Sequence, residues 1–320
     1  PQDGRLKVKT SQGQDVDFRV SVLPTLFGEK VVMRLLDKGN LKLDMTKLGF
    51  EDDDLQMFRE KINEPQGLVL VTGPTGSGKT VTLYSALSSL NDPNINISTA
   101  EDPVEFNLDG INQVNVNADI GFDFAEALRS FLRQDPDVIL VGEIRDLVTA
   151  QVAFKAASTG HLVLSTLHTN DAPSTVSRLL DMGVAPYVIT STVSLVLAQR
   201  LAGKVCERCK EPIKIDKKAL IKAGALESEV DQYECMRGAG CAHCSGSGIK
   251  GRVAMYEVMT MNDVLREAIL AGAGPVQIKK AALKGGMRSL RQAGLMKVKK
   301  GEVAFDQLLA MTVSDDEANR

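Results

Sequence analysis

Leu68-Val69-Leu70-Val71-Thr72 runs directly into Gly73-Pro74-Thr75-Gly76-Ser77-Gly78-Lys79-Thr80. Four consecutive apolar residues mark a strand buried on both faces, the kind that fills a parallel sheet. The turn that follows has the spacing G-x4-G-K-[ST], and a helical stretch over 79–91 comes next. Strand, glycine-rich loop and helix in that order form a phosphate-binding loop in its required setting. Glycines allow backbone N–H groups to converge on phosphate oxygens, and the helix N-terminus adds positive potential. Lys79 then reaches the β- and γ-phosphates, and the Thr80 hydroxyl sits on Mg²⁺. From average composition the spacing arises by accident in on the order of 1% of chains this long. The flanking elements lower that further.

Outward from this loop, strands over 95–98, 138–141 and 161–165 alternate with helices over 124–134, 147–159 and 174–200. Such alternation predicts an α/β fold, a parallel sheet covered by helices on both faces. Ligands of such sheets lie outside the carboxyl ends of the strands. Phosphoryl transfer also needs a carboxylate for the metal and one to orient water. Val138-Ile139-Leu140-Val141-Gly142-Glu143 runs into an acid where the metal-side carboxylate belongs. Glu101-Asp102-Pro103-Val104-Glu105 supplies three more acids after another strand. Elsewhere such acids would be solvated loop charges. Beside a phosphate loop they are candidates for chemistry.

A length of 320 residues implies about two domains. Hydrophobic residues at 43% and charged residues at 25% exclude a mostly disordered chain. No apolar run approaches the roughly 20 residues of a membrane-spanning helix. The net charge of −3 gives no support to nucleic-acid binding, and 4% aromatics without Trp disfavour stacked bases or sugars. Short strands are expected over 6–10, 16–22 and 30–36, with turns at Gly13 and Gly28. That piece is too small for a core of its own. It reads as the end of an N-terminal domain, and the opening Pro1-Gln2-Asp3, without Met or signal peptide, reads as a cut from a longer protein. Gly39-Asn40 marks a boundary, and Leu48, Leu55, Phe58 and Ile62 recur at helical spacing. The division expected is 1–38, 39–200, 201–250 and 251–320, with a helical bundle over 257–312.

Five cysteines are too few for a disulfide scaffold. Four of them form Cys206-x-x-Cys209 and Cys241-x-x-Cys244, which in a reducing compartment points to metal and to the cytosol. Two chelating pairs fill tetrahedral Zn²⁺ with no open position, as a structural site requires. The long gap between the pairs calls for an insert with a helix, expected over 220–230. His243 and Cys235 lie nearby but do not complete the two-pair pattern.

Taken together, Gly73–Thr80, Glu101–Glu105, Leu140-Val141-Gly142-Glu143-Ile144-Arg145-Asp146 and Thr159-Gly160-His161…Ser165-Thr166-Leu167-His168-Thr169 resemble the secretion ATPase superfamily, in that order and across nearly the whole chain. The resemblance implies a RecA-like P-loop ATPase core after a PAS-like domain fragment. It implies that Glu101, Asp102 and Glu105 belong to an acidic box in which Glu105 polarises the attacking water. Glu143 would act on Mg²⁺ through water, and His161 and His168 would form a histidine box that senses the γ-phosphate. Arg19, Arg34, Arg129, Arg133 and Arg145 match arginines that close on phosphates or pair with acids. On residues alone, Arg129 and Arg133 are an i,i+4 pair on an exposed helix face. Ala100 stands where relatives usually carry a larger aliphatic residue.

The cysteine module is similar to that of pilus extension motors and type II secretion ATPases, and retraction motors generally lack it. Gly251–Met259 and Gly286–Leu295 look most like the extension motors, with the secretion ATPases close behind. The resemblance thus implies a homo-hexamer that hydrolyses MgATP to drive pilus assembly through an inner-membrane platform protein and a cytoplasmic adaptor. Two rival classes exist. A nucleic-acid translocase on the same fold would bind DNA in a salt-sensitive way, against the acidic composition. A nucleotide-sensing protein without hydrolysis would lack Lys79 or Glu105, and both are present.

Overall fold

The computed structural model describes residues 2–9, 15–36 and 43–315. The expected turn at Gly13 and boundary at Gly39-Asn40 lie outside them. Strands β1 (Gln2–Lys9), β2 (Asp15–Thr25) and β3 (Gly28–Leu36) form an antiparallel meander. Val31 and Val32 point to opposite faces of β3, and each is about half exposed. Among its described residues, β3 is exposed on both faces.

The main sheet has seven strands. They are β4 (Gly67–Thr72), β5 (Ile97–Glu101), β6 (Asn112–Asn115), β7 (Val138–Val141), β8 (Leu162–Leu167), β9 (Val193–Val205) and, after a small hairpin of β10 (Lys210–Pro212) and β11 (Met236–Gly238), β12 (Ile249–Thr260). Their spatial order is β12-β9-β4-β8-β7-β5-β6, parallel except for the β9–β12 pair. Leu68 and Leu70 pack into one hydrophobic core and Val69 and Val71 into the other. This period-two alternation, apolar on both faces, is why the sequence shows an unbroken apolar run. Helices α1 (Asp52–Ile62) and α2 (Lys79–Leu90) flank the sheet on the side of Val69. On the side of Leu68 lie α3 (Phe124–Phe131), α4 (Leu147–Ser158), α5 (Ala172–Asp181) and the short α6 (Pro186–Thr192). Helix α7 (Lys217–Lys222) belongs to the cysteine insert. Helices α8 (Asp263–Leu270), α9 (Pro275–Lys284), α10 (Leu290–Lys299) and α11 (Phe305–Met311) complete the chain.

Three expectations need correction. The stretch 174–200 is two helices followed by a strand, because Val193 to Ala198 slots between β4 and β12 and is buried on both faces. Residues 249–260 are the antiparallel edge of the main sheet, so the C-terminal helices begin at Asp263. In the insert, helix covers only Lys217–Lys222, with a 3-10 turn at Glu227–Gln232.

A buried carboxylate ties two helix starts to the main sheet. Glu257 on β12 accepts from the N–H of Ala172 (2.7 Å) and of Leu290 (3.1 Å), the first residues of α5 and α10. Burial pushes its carboxyl up to about 7, Asp171 adds to the rise, and the two N–H groups and Lys279 resist it. The start of α1 is tied to the same C-terminal helices. Arg288 grips Asp54 at 2.6 Å, and Lys297 holds Glu51 at 2.8 Å.

Candidate functional site

The carboxyl ends of β4, β5, β7 and β8 carry the motifs. Adjacent pairing sets Thr72 beside Leu167, Val141 beside Ser165 and Ala100 beside Val141. The loop from Gly73 therefore opens next to Gly142-Glu143 and His168. Its glycines are required by space as well as by dihedral. Gly73 has φ 144°, and a Cβ there would lie 2.5 Å from the Gln199 carbonyl oxygen; Gly78 has φ 91° and would meet Gln199 Nε2 at 2.8 Å. Lys79 donates to the carbonyls of Gly73 (2.8 Å) and Pro74 (3.1 Å), folding over the loop. Burial lowers its pKa, and Glu143 pulls the other way. The Ser77 hydroxyl is buried without a hydrogen-bond partner among the described residues, in the loop that precedes α2, 2.7 Å from where a Cβ on Gly73 would lie. The residues present suit a phosphate chain with Mg²⁺: Gly73–Gly78 and Lys79 could hold phosphates, and Thr80 and Glu143 are the side chains that could take the metal.

Glu143 is the electrostatic hub. Arg145 Nη2 donates to its Oε1, and His168 Nε2 lies 3.4 Å from Oε2. Burial would raise its carboxyl, but Arg145, His168 and Lys79 together hold it below the ordinary value. Arg145 also lies 3.6 Å from Asp102, linking the acidic segment to the hub. The backbone around Glu143 is held by β8, where Thr166 accepts from Ile144 N–H at 3.0 Å and its hydroxyl donates to the Gly142 carbonyl at 2.7 Å. Lys79, Asp102, Glu143, Arg145 and His168 thus meet at one end of the sheet.

Other candidates do not join them. His161 precedes β8 and pairs through Nδ1 with the Ala156 carbonyl at 3.0 Å. The six-residue strand sets it about 20 Å from His168, at the opposite end of the sheet. Arg129 pairs with Glu126 at 3.3 Å, and Arg133 donates to the Arg129 carbonyl and Ser130. Arg19 and Arg34 face each other across β2 and β3, with Arg5 in register opposite Arg19. Glu101 ends a strand that runs three residues beyond the expected 95–98, because β5 stays paired with β6 through Glu101 and Asn115. Its carboxylate is buried and accepts from Tyr84 (2.5 Å) and Thr99 (2.6 Å). Glu105 lies on the loop beyond, half-buried. Sequence reasoning missed Thr72, whose hydroxyl accepts from Thr169 N–H at 3.0 Å and ties the phosphate loop to the segment after His168. It also missed Gln199, which accepts from Thr82 at 2.8 Å beneath the loop.

At the far edge of the sheet, two ladders bring the cysteines together. Val205 pairs with Ile249, and Lys210 with Gly238, so the turns at 206–209 and 239–248 face each other. Cys206 and Cys241 sulfurs are 3.9 Å apart, Cys209 and Cys244 3.8 Å, and Cys241 and Cys244 3.7 Å. All four lie within 4.8 Å of one another. A tetrahedron with Zn–S bonds of about 2.3 Å has edges of about 3.8 Å, so the four sulfurs fit zinc. Burial alone would raise the Cys244 thiol; N–H donors from Cys241 and Gly248 bring it down to about 6.

The comparisons with known proteins agree with this geometry. The family model described as "Type II/IV secretion system protein" matches residues 1–310. The type IV pilus assembly ATPase PilB of Myxococcus xanthus is 58% identical over 316 residues, covering 98% of this chain and 56% of that protein. The type II secretion system protein E of Xanthomonas campestris pv. campestris is 47% identical over 322 residues, covering 98% of this chain and 55% of that protein. The chain therefore spans little more than half the length of these relatives. Among solved structures, the pilus retraction motor PilT with bound ADP superposes with a TM-score of 0.73 at 28% identity, covering 99% of this chain and 78% of that one. With motif order, sheet topology and family match in agreement, the chain belongs to the type II/IV secretion system protein family.

Proposed function

We propose that this chain is the ATP-hydrolysing part of a motor that assembles type IV pili. The observation that carries the reading is the meeting of Lys79, Glu143, Arg145 and His168 beside a glycine cradle on adjoining strand ends. The name of the 58% identical relative supports the pilus assignment. In this reading the Gly73–Gly78 backbone and Lys79 would hold the β- and γ-phosphates, and Thr80 and Glu143 would hold Mg²⁺, which would neutralise charge on the phosphates. Glu105 orients water, Asp102 and Arg145 keep the acidic segment against the hub, and Arg19, Arg34, Arg129 and Arg133 close on the phosphates as domains move. His168 senses the γ-phosphate through Glu143. Residues 1–38 end a preceding domain, and 201–250 are a zinc insert. The assembly is a homo-hexamer in the cytoplasm, working at the inner membrane through a platform protein and an adaptor. Type II secretion is the second reading, favoured by the 47% identical secretion protein E.

The test is phosphate release from MgATP. Hydrolysis by the parent is expected, with Lys79→Ala weakening ATP binding at least about tenfold because the ammonium offsets phosphate charge in the ground state too. A parent protein without MgATP-dependent turnover, or a Lys79→Ala variant that binds ATP like the parent, overturns the reading. For the insert, metal analysis of unchelated protein is expected to find about one zinc per chain. Chelation should loosen the region 206–248 before it alters nucleotide binding, since a closed four-sulfur site does no chemistry. Less than about a tenth of an equivalent of metal contradicts a zinc site.

A further inference from the structure

The loop that carries Glu105 is held by side chains from two neighbouring elements. Asn115 on β6 accepts from Val104 N–H at 2.7 Å, and the Tyr84 hydroxyl accepts from Glu105 N–H at 3.3 Å. Gln113, also on β6, donates to the Phe106 carbonyl at 3.0 Å and accepts from Leu108 N–H at 2.6 Å. Tyr84 is almost fully buried on α2, one turn beyond Lys79 and Thr80, and its ring meets Phe106 edge-on with centroids 6.3 Å apart. The hydroxyl spends its proton on Glu101 Oε2 at 2.5 Å, so its lone pairs are turned to donors, Glu105 N–H and Gln113 Nε2. Thr99 and Gln113 complete the hydrogen bonding of the buried Glu101 carboxylate. Glu101 is thereby an anchor inside the fold, and Tyr84 on the phosphate helix reaches the Glu105 backbone.

We propose that Tyr84, backed by Gln113, is a positioning residue for Glu105, carrying the placement of the phosphate helix to the carboxylate that orients water. The inference rests on the reading of Glu105 given above. A phosphate seated at the N-terminus of α2 fixes that helix; the Tyr84 hydroxyl fixes Glu105 relative to the helix, and hence to the γ-phosphorus. Loss of the hydroxyl leaves the loop held by Phe106, Gln113 and Asn115 but releases the register between the base and the phosphate. A sub-ångström loss of register affects the reaction step far more than binding.

Tyr84→Phe in the full chain removes one oxygen and keeps the ring against Phe106. Its kcat is expected to fall about tenfold, with KM for ATP within about twofold of the parent. In a Glu105→Gln background the same change should cost nothing further, because the residue it positions is already disabled. A kcat within about twofold of the parent, or a loss that multiplies with that of Glu105→Gln, overturns the inference. Either result would leave Tyr84 as a structural residue. If Glu105→Gln alone keeps the parent rate, the reading of Glu105 falls first, and this failure is distinct from the other two. Should Tyr84→Phe not fold, Gln113→Met takes the same two assays with the same expected and overturning results.

Discussion

Replacing Arg34 by alanine is expected to lower steady-state ATP turnover by roughly 10³-fold while ADP affinity stays within about twofold. Arg34 faces Arg19 directly across β2 and β3, and both are exposed. Like charges in opposed cross-strand positions destabilise a sheet, so the pair is unfavourable unless an anion meets it. A guanidinium can grip phosphate oxygens through two parallel hydrogen bonds, which gives such a pair a purpose. An arginine that meets the γ-phosphate only on closure stabilises charge that develops during transfer, and ADP, lacking that group, registers little of its loss. Relief of the cross-strand repulsion means that Arg34→Ala does not weaken the sheet, so a drop in rate reports on chemistry. Arg19→Ala is expected to act in the same direction. Turnover by folded, assembled Arg34→Ala protein within about twofold of the parent would return both arginines to the solvated surface.

Glu105→Gln is expected to retain ATP and to reduce turnover by about 10²-fold or more, the scale for removal of a positioned base. The substitution preserves shape and the backbone N–H that Tyr84 accepts, so the loop keeps its hold. What it would remove is the charge that, in the proposed function, draws a proton from water. In the proposed function binding depends on the loop at 73–80 and on Lys79, which lie on a different strand end, so affinity for ATP should be unchanged. Equilibrium binding of ATP together with single-turnover hydrolysis separates the two effects. Parent-rate turnover by Glu105→Gln would remove the acidic segment from the mechanism.

The features legible in the sequence are those whose chemistry is contiguous in the chain. The phosphate loop needs only a strand, a turn and a helix in succession, and all three are local. The cysteine pairs were legible by spacing, but what joins them is the β9–β12 ladder, a pairing between segments far apart in sequence. Residues 193–200 of β9 suggest a helix because a segment covered on both faces has no polar face to reveal its period. Glu101 belongs to an acidic motif, yet the paired length of β5 turns it into the fold, and strand pairing is a tertiary fact. His161 and His168 share a motif on paper; a six-residue strand separates them in space. Tyr84 offered only the weak signal of a polar tip on an apolar helix face, where a buried hydroxyl must find a partner.

The Glu257 staple and the β9–β12 ladder bear on how this protein can be recombined with its relatives. A chimera that exchanged residues 251–320 would cut β12 near its start and transplant most of a main-sheet strand with the helices. It would also pair a donor Glu257 and α10 with a host α5, whose first N–H the carboxylate must receive at the same time. A junction at 200 fares no better, since it falls within β9. Exchange between this chain and its relatives is therefore best designed with 172–311 as one block, so that both helix starts and their shared carboxylate travel together.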